Sequence, residues 1–123
     1  MVILNLGGEG EDPEAVDINR LTPGETRRPV PSFIRSGWLI QGDFLALPIR
    51  SSVIDEVRGH MVPLLLSSGH DRLIAQEAFR VLRPGGRIRL SPTLPARTVL
   101  PALAAAGFVA VRLDGGTATG VKP

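Results

Sequence analysis

The residues able to do chemistry fall into three groups. The first is the loop Gly7-Gly8-Glu9-Gly10, which follows a short apolar run at residues 2–6. That pattern is a strand running into a glycine turn, where the lack of side chains lets a ligand come close to the backbone. Taken alone, Gly8-x-Gly10 fits a plain turn equally well. The second group is Glu9, Glu11, Asp12 and Glu14, beside that loop. Four carboxylates repel phosphate, and the sequence holds no GK[ST] phosphate loop. Dinucleotides and nucleoside triphosphates are therefore poor candidates. The third group is the histidine pair, His60 and His70. Their ordinary pKa suits proton transfer near neutrality. His60 closes an apolar segment and is the better placed of the two. His70 stands just before a helical pattern and reads as a surface residue of its cap region.

Cysteine is absent. Disulfides, cysteine-ligated zinc, iron–sulfur clusters and thiol catalysis are excluded together, and a reducing cytoplasm fits. Two histidines alone make no zinc site, so no metal is expected.

The elements that must hold these groups follow an α/β pattern. Strand signals occur at residues 2–6, 15–18, 38–40, 53–60 and 87–91, and again at 108–113 and 117–122. Residues 71–82 place Leu73, Ile74, Ala78, Val81 and Leu82 at helical spacing. Asp71 at the start and Arg80 and Arg83 at the end suit the helix dipole, and Pro84-Gly85-Gly86 stops the helix. A second helix is expected over 98–106, ended by Gly107. Asp114-Gly115-Gly116 forms a tight turn between the last two strands. Residues 20–36 carry three prolines and no period, and read as a long loop of the kind that is functional or mobile. Strands alternating with helices predict an open, mostly parallel sheet with helices packed on it. Ligands bind such sheets at the carboxyl ends of the strands, where strand order reverses.

The chain has 123 residues, which fits a single domain over 1–123. With 43% hydrophobic and 21% charged residues it is an ordinary globular sequence rather than a disordered one. No run of about 18 apolar residues is present, so no membrane helix is expected. Nothing basic precedes the first apolar run, so no signal peptide is expected. Residues 1–17 hold five acids and no base, whereas all 13 Arg and the single Lys come later. The arginines are scattered along the sequence, and only four Phe and one Trp are available to stack on bases. Nucleic acid is therefore ranked last among the partners, and a solvated arginine-rich surface is the simpler reading.

The ordered motifs resemble the class I S-adenosylmethionine-dependent methyltransferases, in particular a small bacterial branch. Leu4-Asn5-Leu6-Gly7-Gly8 and Val16-Asp17-Ile18-Asn19 are similar to its "LNLG" and "VDI" strands. Gly42-Asp43-Phe44-Leu45-Ala46-Leu47-Pro48 resembles its "GD…LPF" segment. Asp55-Glu56-Val57 with His60-Met61-Val62 resembles "FDEV…HVLEH". Glu77 to Arg87, EAFRVLRPGGR, is similar to "E..RVLKPGGRL", and Ala106-Gly107-Phe108 to "aGF". The likeness spans nearly the whole chain, and the ordered set is more specific than any single motif.

The resemblance implies a Rossmann-like α/β fold with a mostly parallel sheet, an antiparallel last strand and a reduced set of helices. It implies S-adenosylmethionine as cofactor, with Gly7, Gly8 and Gly10 against its backbone-facing side. Asp17 would accept the ribose hydroxyls, Asp43 would meet the adenine amino group, and Phe44 would border the base. A sulfonium tolerates the acidic loop better than a phosphate does. Methyl transfer is an in-line displacement that needs alignment and sometimes a base, and His60 is the candidate base. Trp38 and Phe33 read as core packing, or as lining for an acceptor pocket. The acceptor would be a small molecule or a carrier-bound intermediate. The alternative is a degenerate member of the fold without methylation activity, serving as a binding or scaffolding subunit or recruited to another reaction.

The chain also departs from the pattern. Only residues 7–14 separate the first two strands, whereas a parallel crossover usually needs a dozen residues and a helix. Either the second segment does not pair in parallel or the link is irregular. Without that helix, part of one sheet face is expected to be bare and apolar, to be covered by residues 20–36 or by a second copy in a homodimer. With the first strand expected to start at residue 2, the family's helical lid ahead of it is not expected on that side. Pro63 stands where the family has an acidic contact.

Overall fold

In a computed structural model of the chain, residues 1–7, 14–19, 39–41, 45–62, 69–92 and 95–123 are described. Among them lie seven strands. These are β1 (Ile3–Leu6), β2 (Ala15–Asn19), β3 (Leu39–Gln41), β4 (Ile54–Val62), β5 (Leu82–Pro92), β6 (Val109–Asp114) and β7 (Thr117–Val121). Two helices, α1 (His70–Val81) and α2 (Leu100–Ala106), join them, with a 3-10 turn at Ala96–Val99 leading into α2. The sheet order is β3-β2-β1-β4-β5-β7-β6. All neighbours from β3 to β5 pair in parallel. The last strand, β7, runs antiparallel between β5 and β6.

The short link resolves as parallel pairing. Ile3 faces Ala15 and Leu6 faces Ile18 in register, so eight residues, 7–14, carry the chain between parallel neighbours. Gly7 makes the exit. It sits at φ +77, where L side chains are strained, and its N–H donates to the Ile18 carbonyl at 2.8 Å.

Helix α1 forms because Ile74, Ala75, Ala78 and Val81 make one buried stripe. Left-handed Gly69 precedes it and no side chain caps it. His70 is thus the first helical residue rather than a cap. The helix ends at Val81, one residue short of the apolar pattern, because Leu82 is already extended and pairs with Ile54. Pro84-Gly85-Gly86 accordingly lies inside β5, as a bulge between the Ile54–Leu82 and Glu56–Arg87 pairs. Strand β4 continues two residues past His60, to Val62.

The two faces of the sheet differ in kind. Leu4, Leu6, Ile18, Val57, Ile88, Leu90 and Ala118 join the buried residues of both helices in one core. Their register partners one residue away point to the opposite face. Many pairs there are polar, namely Asn5 with Asp17 and with Arg58, Glu56 with Arg87, Arg58 with Arg89, and Arg89 with Thr119, while Ile3 with Ala15 and Val109 with Val121 are apolar. The apolar residues of this face on β1 and β2, Ile3 and Ala15, are buried; residues 20–36, expected to cover it, lie outside the described residues. Ile3, Asn5, Ala15, Asp17 and Glu56 on this side are buried, while Arg87, Arg89 and Arg112 are exposed. No described helix is long and apolar enough to cross a membrane.

Candidate functional site

Strand order reverses between β1 and β4: the chain first moves outward through β2 and β3, then returns to add β4 on the other side. A crevice outside the carboxyl ends of these strands is the expected ligand position in an open parallel sheet. Gly7 stands at that end of β1. Beside it, the parallel register brings together two motif residues twelve positions apart. Asn5 Nδ2 donates to Asp17 Oδ1 at 3.3 Å. Both are buried, Asp17 completely. A buried carboxylate needs such donors, since burial unassisted is costly.

Asp17 lies in the middle of β2, not at its end, because the strand runs on to Asn19 and pairs there with β3. The main chain of His60 lies within β4 opposite Ser91. Gly8, Gly10, Asp43 and Phe44 fall outside the described residues, as do Phe33, Trp38, Pro63 and the segment 20–36.

The sequence motifs assign no role to Asn5. Its signal is nonetheless present, since it is the one polar side chain in the run of residues 2–6. Glu77 is likewise a motif letter without an assigned task, and Arg80 is assigned only to the helix dipole. In the fold they clamp the chain entering β4. Glu77 Oε1 accepts from the Leu47 N–H at 2.7 Å, and Arg80 donates to the carbonyls of Leu47 at 3.0 Å and Ile49 at 2.8 Å. The two side chains also pair with each other at 2.7 Å. Arg80 beside it holds the Glu77 carboxyl below its ordinary range against the opposing pull of burial, and Glu77 in turn raises Arg80.

At the opposite, amino edge of the sheet lies an open cleft of about 450 Å³ lined by Met1, Asp55, Arg83, Gly86 and Arg87 among others. It is remote from the strand ends where order reverses.

No protein-family profile matches the chain, and no curated protein sequence matches it. Solved structures do. The aminoglycoside resistance methyltransferase NpmB1 superposes with a TM-score of 0.66 at 16% identity, over 99% of this chain and 87% of that one. An S-adenosylmethionine-dependent methyltransferase of Thermotoga maritima gives 0.66 at 12% identity, over 98% and 81%. PigF bound to SAH gives 0.65 at 17%, over 99% of this chain and 50% of that one. The chain has the class I methyltransferase fold. It spans half the length of PigF and 62% of a Bacillus halodurans C-125 protein that it also resembles.

Within the methyltransferase fold, the most specific motifs of this sequence turn out to be packing devices. Gly85 adopts φ +85, and a Cβ on Gly86 would stand 2.9 Å from the Asp55 carbonyl. Gly107 ends α2 at φ +114, with Phe79 where its Cβ would go. Phe108 then meets Phe79 edge to face at 5.2 Å.

Proposed function

We propose that the protein binds S-adenosylmethionine at the carboxyl edge of β1, β2 and β4 and transfers its methyl group to a small molecule or carrier-bound intermediate. The observation that carries this is the pairing of Gly7 with the Asn5–Asp17 couple at the reversal of strand order. The residues fit the group in chemistry. A left-handed glycine admits the ligand's close approach, and a carboxylate held in place by an amide is a suitable acceptor for ribose hydroxyls. PigF, of like fold, was captured with SAH. The cofactor supplies an electrophilic methyl on a sulfonium. The chain supplies alignment and a base. Gly7, Gly8 and Gly10 form the cradle, Asp17 takes the ribose, Asp43 the adenine amino group, and Phe44 borders the base. His60 takes the acceptor's proton.

Calorimetric titration with S-adenosylmethionine and S-adenosylhomocysteine tests this, with Asp43→Ala beside the parent. Micromolar binding lost in the variant is the expected result. Absence of binding to both ligands would discard it in favour of a second reading, a member of the fold that no longer methylates. One observation favours that reading: Asp17 has no exposed surface.

A further inference from the structure

We infer that the face of the sheet turned away from α1 and α2 binds, over β4, β5, β7 and β6, the phosphodiester backbone of a nucleic acid along a row of arginines. In sequence these arginines are scattered. The register aligns them. Reading across the sheet, Arg58 of β4 stands beside Arg89 of β5, Arg89 beside Thr119 of β7, and Thr119 beside Arg112 of β6. Neighbouring strands are about 5 Å apart, so the three guanidinium-bearing positions span roughly 15 Å of sheet. One row toward the amino edge, Arg87 adds a fourth arginine.

The charges are not cancelled evenly. Buried Glu56 takes hydrogen bonds from both Arg58 and Arg87, the latter at 2.9 Å, and so anchors that end of the patch. Arg89 and Arg112 are exposed and hold no carboxylate partner among the described residues. Asp114 lies at the far corner, in the register row of Thr117, and is an exposed acid of this face. Ser91 and Thr117, hydrogen-bonded at 2.8 Å, put hydroxyls beside the arginines.

Arginine interspersed with serine and threonine is the donor set that contacts phosphate. A protein partner is the poorer fit. Protein interfaces have aromatic, charge-depleted centres, whereas this face shows arginine at its centre and, among the described residues of these strands, Val109 as an exposed large apolar residue at its rim. A second copy is disfavoured because two such rows would repel. With no aromatic side chain in the row, bases have nothing to stack on, and binding would be to the backbone, independent of sequence.

The test is fluorescence anisotropy with a labelled uridine homopolymer and a labelled RNA duplex, comparing the parent with the double variant Arg89→Gln/Arg112→Gln. Both arginines are exposed, and equal unfolding temperatures would establish that the variant is folded. The parent is expected to bind at about 50 mM salt and weaken linearly in log–log terms as salt rises, while the variant loses roughly tenfold in affinity and about 1 to 2 in salt slope. No binding by the parent, or identical affinity and slope in a folded variant, overturns the inference. So does displacement of the RNA by poly-glutamate at equal charge, which would give the face to an acidic protein. These outcomes do not depend on cofactor binding, which the calorimetry reads separately.

Discussion

Glu77 and Arg80 show how a pair of motif letters becomes a mechanical part. Three backbone groups of the segment entering β4 hang on these two side chains. Glu77→Gln, which keeps the shape and removes the charge, is expected to cost about 2 kcal/mol in chemical unfolding at pH 7, as charged hydrogen bonds do. The pH dependence has a definite sign. The folded-state pKa of Glu77 lies below its ordinary value of 4.5. Its contribution is therefore present above that value and is lost as pH falls through the lowered one. Denaturation curves on going from neutral pH to below pH 4.5 should lose a component in the parent that is missing in Glu77→Gln. Parallel curves for the two proteins would show that the pair carries no net stability. Gly107 is the other residue with a sharp expectation. Gly107→Ala meets both a left-handed backbone and the Phe79 ring at 2.9 Å. A loss of about 1–3 kcal/mol should appear as a lowered melting temperature.

At the scale of elements, the carboxyl end of α1 is tied to the end of the chain. Lys122 Nζ donates to the carbonyls of Phe79 and Leu82, each at 2.8 Å, and lies 4.7 Å from the centre of the Phe79 ring. The backbone repeats the tie. Gly85 N–H donates to the Lys122 carbonyl, and Lys122 N–H to that of Gly86. The single lysine thus satisfies orphan carbonyls at a helix end and locks β7 against the bulge in β5. Lys122→Met keeps most of the apolar stem and removes the donor. It should destabilise by about 1–3 kcal/mol, and amide exchange should rise first at the end of α1 and in the bulge. Unchanged exchange there would mean the backbone ties suffice without the side chain.

At the scale of the described molecule, the decisive feature is a sheet with an apolar face under α1 and α2 and a face, on the other side, rich in polar and charged pairs. Parallel sheets are usually covered on both sides. On the face turned away from α1 and α2, the Asn5–Asp17 couple and the Glu56–arginine cluster carry the polar contacts among the described residues. Glu56→Leu should therefore be worse than a surface change. It removes the buried acceptor of two arginines that stay in contact with water, and a cost of about 1–2 kcal/mol is expected from unfolding curves. It should also leave any RNA affinity intact or raised, since the face becomes more positive. A weaker RNA complex in a folded Glu56→Leu protein would mean that the geometry of the cluster, not its charge, matters.

Much of this architecture is legible in the amino-acid sequence. Apolar period and glycine position mark the described strands to within a few residues, except that β5 begins five residues before its expected start, at Leu82, because a half-buried strand and a helix stripe are local patterns but the pairing of Leu82 with Ile54 is not. The helix dipole signature of Asp71 and Arg80 is likewise readable. The glycines of residues 85, 86 and 107 are visible as punctuation, but what they make room for is not. The same limit holds for the β1–β2 link: its length is plain, yet only pairing shows that Ala15 lies beside Ile3. Bringing Asn5 to Asp17, and lining up Arg58, Arg89 and Arg112 from three separate strands, are consequences of register. Register is fixed by the burial of a whole face at once, a property of the assembled sheet that no single segment of the chain contains.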